Sequence, residues 1–231
     1  MYCAIIADII DSKKTEDRGL VQEKLKRILG DFNGQEDLDI ASKFTITLGD
    51  EFQGLLFKPS GLMAIINRLK MDMYPVEIRF GIGFGNMRTE INPDMAIGAD
   101  GPAYYKARES INMIKVIGSK YEQAKQNIYL TVDNPDTGQE APAGSDDKVR
   151  FINSGLAGLY FIESKWSDKE REVIKLMEVE DMIQMDIAEK LGVDQSTISR
   201  RIQNSGYLVY KELMGSINGM MNEIWREIEN V

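Results

Sequence analysis

The sequence contains no histidine. That absence removes serine–histidine triads, histidine general bases and histidine-ligated metal centres together. Any chemistry must rest on carboxylates, lysine, hydroxyls or a bound hard cation. There is one cysteine, Cys3, in a strand-like start. An internal disulfide framework is excluded, and a reducing compartment fits. No apolar stretch approaches the roughly 18 residues of a membrane span, and the start shows neither a basic leader region nor a cleavage site. The expectation is a cytoplasmic protein with no membrane partner. Positive charge is also in deficit. With 28 Lys and Arg against 37 Asp and Glu, the net charge is −9, which argues against a basic coat for non-specific nucleic-acid binding.

What is present suits a folded protein of one or two domains: 231 residues, 43% hydrophobic and 28% charged. "YCAIIADII" reads as a buried strand whose only charged residue is Asp8. Residues 15–32 carry a helical stripe of Leu20, Leu25, Ile28 and Leu29. "KFTITL" and "FQGLLF" bracket Gly49–Glu51 as a hairpin. Ser60 is placed to cap a helix bearing Leu62, Ile65, Ile66 and Leu69. "VEIRFGIGFG" is a further strand, a helix is expected over about 102–117, and "NIYLTV" is the last strand. Gly81, Gly83 and Gly85 alternate on one strand face. They suit either close approach of a ligand or close packing of a helix. Residues 133–147, rich in Gly, Pro and Asp, read as a loop, and everything beyond as helical. The β-α-β-β-α-β order predicts an α+β, ferredoxin-like sheet-and-helix domain over 1–147. An all-α domain is expected over 148–231, and within it a helix-turn-helix at about 167–213.

The sharpest chemical signal is a set of acids in apolar context. Asp8 lies near the end of the first strand, and Asp50 and Glu51 lie in the hairpin turn. With the first strand expected to pair with the strand entering that hairpin, the carboxylates converge at one sheet edge. Converging like charges raise a pKa or recruit a cation, and oxygen-only ligands suit Mg²⁺. The bland alternative is that Asp11, Ser12, Asp50 and Glu51 are ordinary turn residues.

"ADIIDS" followed by "FTITLGDEFQGL" resembles the palm domain of class III nucleotide cyclases, GGDEF-type diguanylate cyclases and polymerases. The resemblance implies a Mg²⁺ or Mn²⁺ site at Asp8 and Asp50, with Glu51 at the GGDEF glutamate. It implies a nucleotide bound near Ile9, Asp11, Ser12 and Gly49. "EIRFGIGFG" is similar to a cyclase strand, and "IGADGPAYYKARESI" to a later cyclase segment. That segment adds Lys106 and Arg108 as candidate catalytic and nucleotide-binding cations. Two positions depart from the pattern: Leu48 replaces the first glycine of GGDEF, and Ala103 stands where an asparagine is expected. Over most of its length the chain is more similar to the SatD family of bacterial proteins. The resemblance rests on "ADIIDS", "GDEFQ", "DGPAYYKARES" and a C-terminal helix-turn-helix, in that order.

The second strong signal spans residues 167–203. Ser167 with Glu170 forms a capping-box pattern, and Gly192 suits the left-handed position that closes a helix. Asp194 or Ser196 then caps a helix whose inward face is Ile198 and Ile202. Gln195, Ser196, Thr197, Arg200 and Arg201 face outward, the spacing of a helix-turn-helix that reads DNA in the major groove. Against this, residues 165–231 hold nine basic and thirteen acidic residues, so a helical protein-contact module is the alternative. Ile217, Met220, Met221, Ile224, Trp225 and Ile228 recur at helical spacing, either packed within the chain or forming a homodimer helix.

The leading expectation is a regulator that binds a nucleotide and a divalent metal in the palm and DNA through the helix-turn-helix. The alternatives are a metal-dependent nucleotide cyclase or nucleotidyltransferase, and a degenerate palm kept as scaffold.

Overall fold

Side chains alternate along a strand, so an apolar strand buried on both faces needs cover on both. The computed structural model describes residues 1–12, 17–120, 125–133 and 145–229. In it β1 (Tyr2–Ile9) is such a strand. Cys3, Ile5, Ala7 and Ile9 share a core with α1 (Arg18–Asn33) and α2 (Leu62–Met73). Ala4 and Ile6 pack on the opposite side against Ala103, Ala107 and Ile111 of α3 (Pro102–Lys120). Burial also pushes the Cys3 thiol far above its usual range.

The other strands are β2 (Ile40–Leu48), β3 (Glu51–Leu56), β4 (Ile78–Gly85) and β5 (Ile128–Val132). The sheet order is β2-β3-β1-β4-β5. β1 is antiparallel to β3 and β4, while β4 and β5 are parallel. The fold is a mixed α+β arrangement, with eight helices among the described residues. One expectation is corrected: β1 pairs with β3, the strand leaving the hairpin, and not with the strand entering it. The crossover through α1 sets β1 and β2 in the same direction with a gap between them, and the returning strand fills that gap.

The glycines of β4 serve helix packing. A Cβ at Gly83 would lie 2.1 Å from the Ala103 carbonyl oxygen, and one at Gly81 would lie 2.2 Å from that of Ala107. The backbone of α3 therefore rests directly on the strand. Ala103 itself is buried, clustered with Ala4 and Ile6 of β1.

Some local expectations change. Leu20 is exposed, and the buried face of α1 is Leu25, Ile28, Leu29 and Phe32, the last residue of the expected stripe. Gly61 is the N-cap of α2, with no side-chain cap, and the Ser60 hydroxyl instead donates to Asp39. Of the loop expected at 133–147, residues 134–144 lie outside the described residues, and a helix already begins at Ser145.

The C-terminal helices are α4 (Ser145–Glu163), α5 (Asp168–Glu178), α6 (Gln184–Leu191), α7 (Gln195–Asn204) and α8 (Tyr207–Glu229). One continuous apolar cluster runs from the sheet through all of α4 to α8. Edge strands expose unpaired amides. Here Asn153 of α4 covers the β5 edge, accepting from Leu130 N at 2.8 Å and donating to Leu130 O at 2.9 Å. Ile217, Met221, Ile224 and Trp225 of α8 are buried within the chain, with Trp225 edge-on to Phe84 at 5.2 Å. Four of the six residues of that stripe are therefore packed within the chain, and Met220 and Ile228 are half-buried. No helix of the described residues is long and apolar enough to cross a membrane.

Candidate functional site

Residues directly opposite on neighbouring strands share a face. Asp8 lies opposite Glu51 of β3 and opposite Arg79 of β4. Asp8 follows Ala4 and Ile6 by twos, so this row faces α3. From α3, Arg108 and Lys115 reach it, seven residues apart and so on one face of the helix. Asp8 Oδ1 accepts from Arg79 Nε at 2.8 Å, and Oδ2 accepts from Arg79 Nη2 at 3.1 Å. Lys115 Nζ is 3.0 Å from the same Oδ2. Glu51 receives Arg108 in a two-point contact, at 2.5 Å on Oε2 and 2.7 Å on Oε1, with the Thr47 hydroxyl 3.2 Å from Oε1.

Asp50 belongs to a separate contact. Its backbone oxygen accepts from Ile9 N at 3.0 Å, and its carboxylate accepts from the Ser12 hydroxyl. Gly49, at φ 60°, turns the hairpin, and its carbonyl accepts from Gln22 Nε2 at 2.5 Å. Ile9, Ser12, Gly49, Asp50 and Gln22 surround a cleft of 10 Å³, room for about one water. Asp11 is exposed and has positive φ. Lys106 pairs instead with Glu109 at 3.0 Å.

The structure thus brings together Asp8, Glu51 and Arg108 of the expected set, and leaves Asp50 and Lys106 apart. Arg79 and Lys115 are additions. Their positions in strand and helix were visible in the sequence, but their convergence on Asp8 depends on register and on how α3 lies.

These donors do not fit a resident Mg²⁺ or Mn²⁺. Both oxygens of Asp8 and both of Glu51 already face cations, and a metal would have to displace a guanidinium. Among the described residues no three of His, Cys, Asp and Glu gather as a metal-holding group.

The hydrogen bond from Arg108 holds the Glu51 carboxyl below its ordinary value of 4.5; burial opposes this and the Arg108 charge adds to it. A lowered folded value means the pair stabilises the fold at and above 4.5, and that contribution is lost as pH falls through the folded value. Glu51→Gln should therefore lower the urea midpoint at neutral pH, and the gap to wild type should close on acidification. A gap independent of pH would show that the charge of Glu51 contributes nothing.

In the C-terminal part, Ser167 caps α5 as expected: its side chain accepts from Glu170 N, and Glu170 returns a bond to Ser167 N at 2.8 Å. Gly192 closes α6 at φ 63°, ψ 38°. Asp194 is the N-cap of α7 by position, without a side-chain capping bond. Ile198 and Ile202 are buried, while Gln195, Ser196 and Arg200 are exposed and Thr197 and Arg201 half-buried.

Fold and site define a mixed α+β protein with an ion-paired sheet edge and a C-terminal pair of short helices joined by a glycine turn. The family model described as the SatD family matches residues 2–214, and the chain belongs to that family. No curated protein matches the chain.

Proposed function

We propose that the chain is a DNA-binding regulator in which α6 and α7 form a helix-turn-helix and α7 enters the major groove. Its sheet layer is read as a ferredoxin-like, palm-like module that binds a nucleotide phosphate at the cationic edge. The observation that carries the DNA reading is the charge state of α7's outer face. Lys175, Lys190 and Lys211 are each engaged by an acid, whereas Arg200 and Arg201 have no acid partner among the described residues. Unpaired guanidinium groups on an exposed helix face are suited to phosphate and guanine.

At the sheet edge, Arg79, Arg108 and Lys115 face Asp8 and Glu51, one positive charge in surplus, which favours an anion. The cyclase or nucleotidyltransferase alternative needs carboxylates free to hold cations, and these two are engaged.

The test is selection of duplexes from a random pool, followed by anisotropy titration. Arg200→Ala and Arg201→Ala should each weaken binding while the fold stays intact. A lost base contact costs about 1–3 kcal/mol and relaxes specificity; a lost phosphate contact lowers the salt slope by about one. The two side chains project about 100° apart, so their effects should differ in kind. Added nucleotide should shift DNA affinity, and DNA should shift nucleotide affinity by the same factor. Failure to enrich any duplex, or two variants that bind like wild type, would remove the DNA reading.

A further inference from the structure

A cavity of 440 Å³ lies where α1 and α2 of the sheet layer meet the end of α5 and the middle of α8. Its size falls within the range of small-molecule sites. No residue of the sheet edge or of α7 lines it. We propose that it is a binding site for a small amphipathic organic anion.

Each part of that description follows from a lining group. Phe32, Met63 and Met214 supply apolar wall, and methionine adapts to flat or irregular apolar bodies. The anionic group follows from charge. Of the charged lining groups, Arg68 and Lys211 are cations and Glu178, which takes Lys211, is the one acid; Asp72, the partner of Arg68, lies outside the lining and is shared with Lys175. Arg68, at the cavity wall, uses only Nε for its partner, which leaves its terminal nitrogens for a ligand.

The cavity also has a consequence that rests on the DNA reading. α7 packs against both α5 and α8, so an occupant touches the two helices that hold the reading helix. Binding itself does not depend on that reading.

The probe is anilinonaphthalene sulfonate, which has an apolar aromatic body and one sulfonate, and which fluoresces on leaving water. Wild type should bind it saturably, with one site per chain. Gly215→Trp is the blocking variant, since a Cβ at Gly215 meets nothing within 4 Å and the added ring enters the cavity without backbone strain. It should weaken binding at least about tenfold with the thermal midpoint retained. Ala64→Phe, at an exposed position on the opposite wall, should do the same. Arg68→Gln should weaken binding and reduce its salt dependence. Absence of saturable binding to wild type, or blocking variants that bind as tightly as wild type, would overturn the site.

Discussion

Replacing Glu163 by Gln should cost about 3–5 kcal/mol of folding stability and reverse the direction of the alkaline response. Lys70 of α2 and Glu163 of α4 form an ion pair with side-chain exposures of 5% and 10%. Burial pulls the Lys70 pKa down, but the charge and hydrogen bond of Glu163, with the Tyr210 hydroxyl, hold it above 10.5 against Arg171. A raised folded value means the pair stabilises the protein below 10.5 and fails as pH rises through the folded value. In the glutamine variant the burial remains and the largest opposing charge is gone, so the folded value drops below the unfolded one. The variant should therefore gain stability as pH rises towards 10.5, where wild type is flat. Urea unfolding across that window reads both slopes. A loss under about 1 kcal/mol, with parallel slopes, would show that the pair contributes little. Lys70→Met combined with Glu163→Leu should recover much of the loss, because it removes both desolvated charges together.

The second large effect is expected at Gly83. An alanine Cβ there would sit 2.1 Å from the Ala103 oxygen and 2.3 Å from the Ala107 nitrogen, both backbone atoms of α3. Backbone cannot rotate aside as a side chain can, so α3 must lift from the sheet, at about 3 kcal/mol or more. Lifting α3 also withdraws Arg108 and Lys115 from the sheet edge. Gly215→Ala is the matched control. It faces open space in α8, and should stabilise by up to about 1 kcal/mol through helix propensity. Opposite signs for one chemical change would locate the cause in packing. If Gly83→Ala left the thermal midpoint unchanged, close helix approach would not be the reason for glycine in β4.

Much of the local structure is legible without coordinates, because it depends on neighbours in sequence. The capping box at Ser167 and Glu170, the left-handed Gly192, and the inward Ile198 and Ile202 all follow from short-range backbone chemistry. So does the turn at Gly49. Expectations that required one weak local signal to outrank packing fared worse. Ser60 is a good capping residue by type, yet it engages Asp39 because the chain enters α2 one residue later. Leu20 fits a helical stripe, yet lies beyond the reach of the sheet.

The acids show the division most clearly. An aspartate in "AIIADII" must be compensated, and the sequence alone determines that much by placing charge in an apolar strand. It does not name the compensating group, since nearest partners at a sheet edge come from distant segments. Only the tertiary structure decided that Arg79 arrives by register, that Lys115 and Arg108 arrive from a helix lying on glycines, and that Asp50 turns to Ser12 instead. The same holds for α8. Its apolar spacing determines an amphipathic helix, but a burial stripe has the same period whether it meets its own core or a second chain. Contact with Phe84 and α4 settles that for its buried residues, because it brings together residues far apart in sequence.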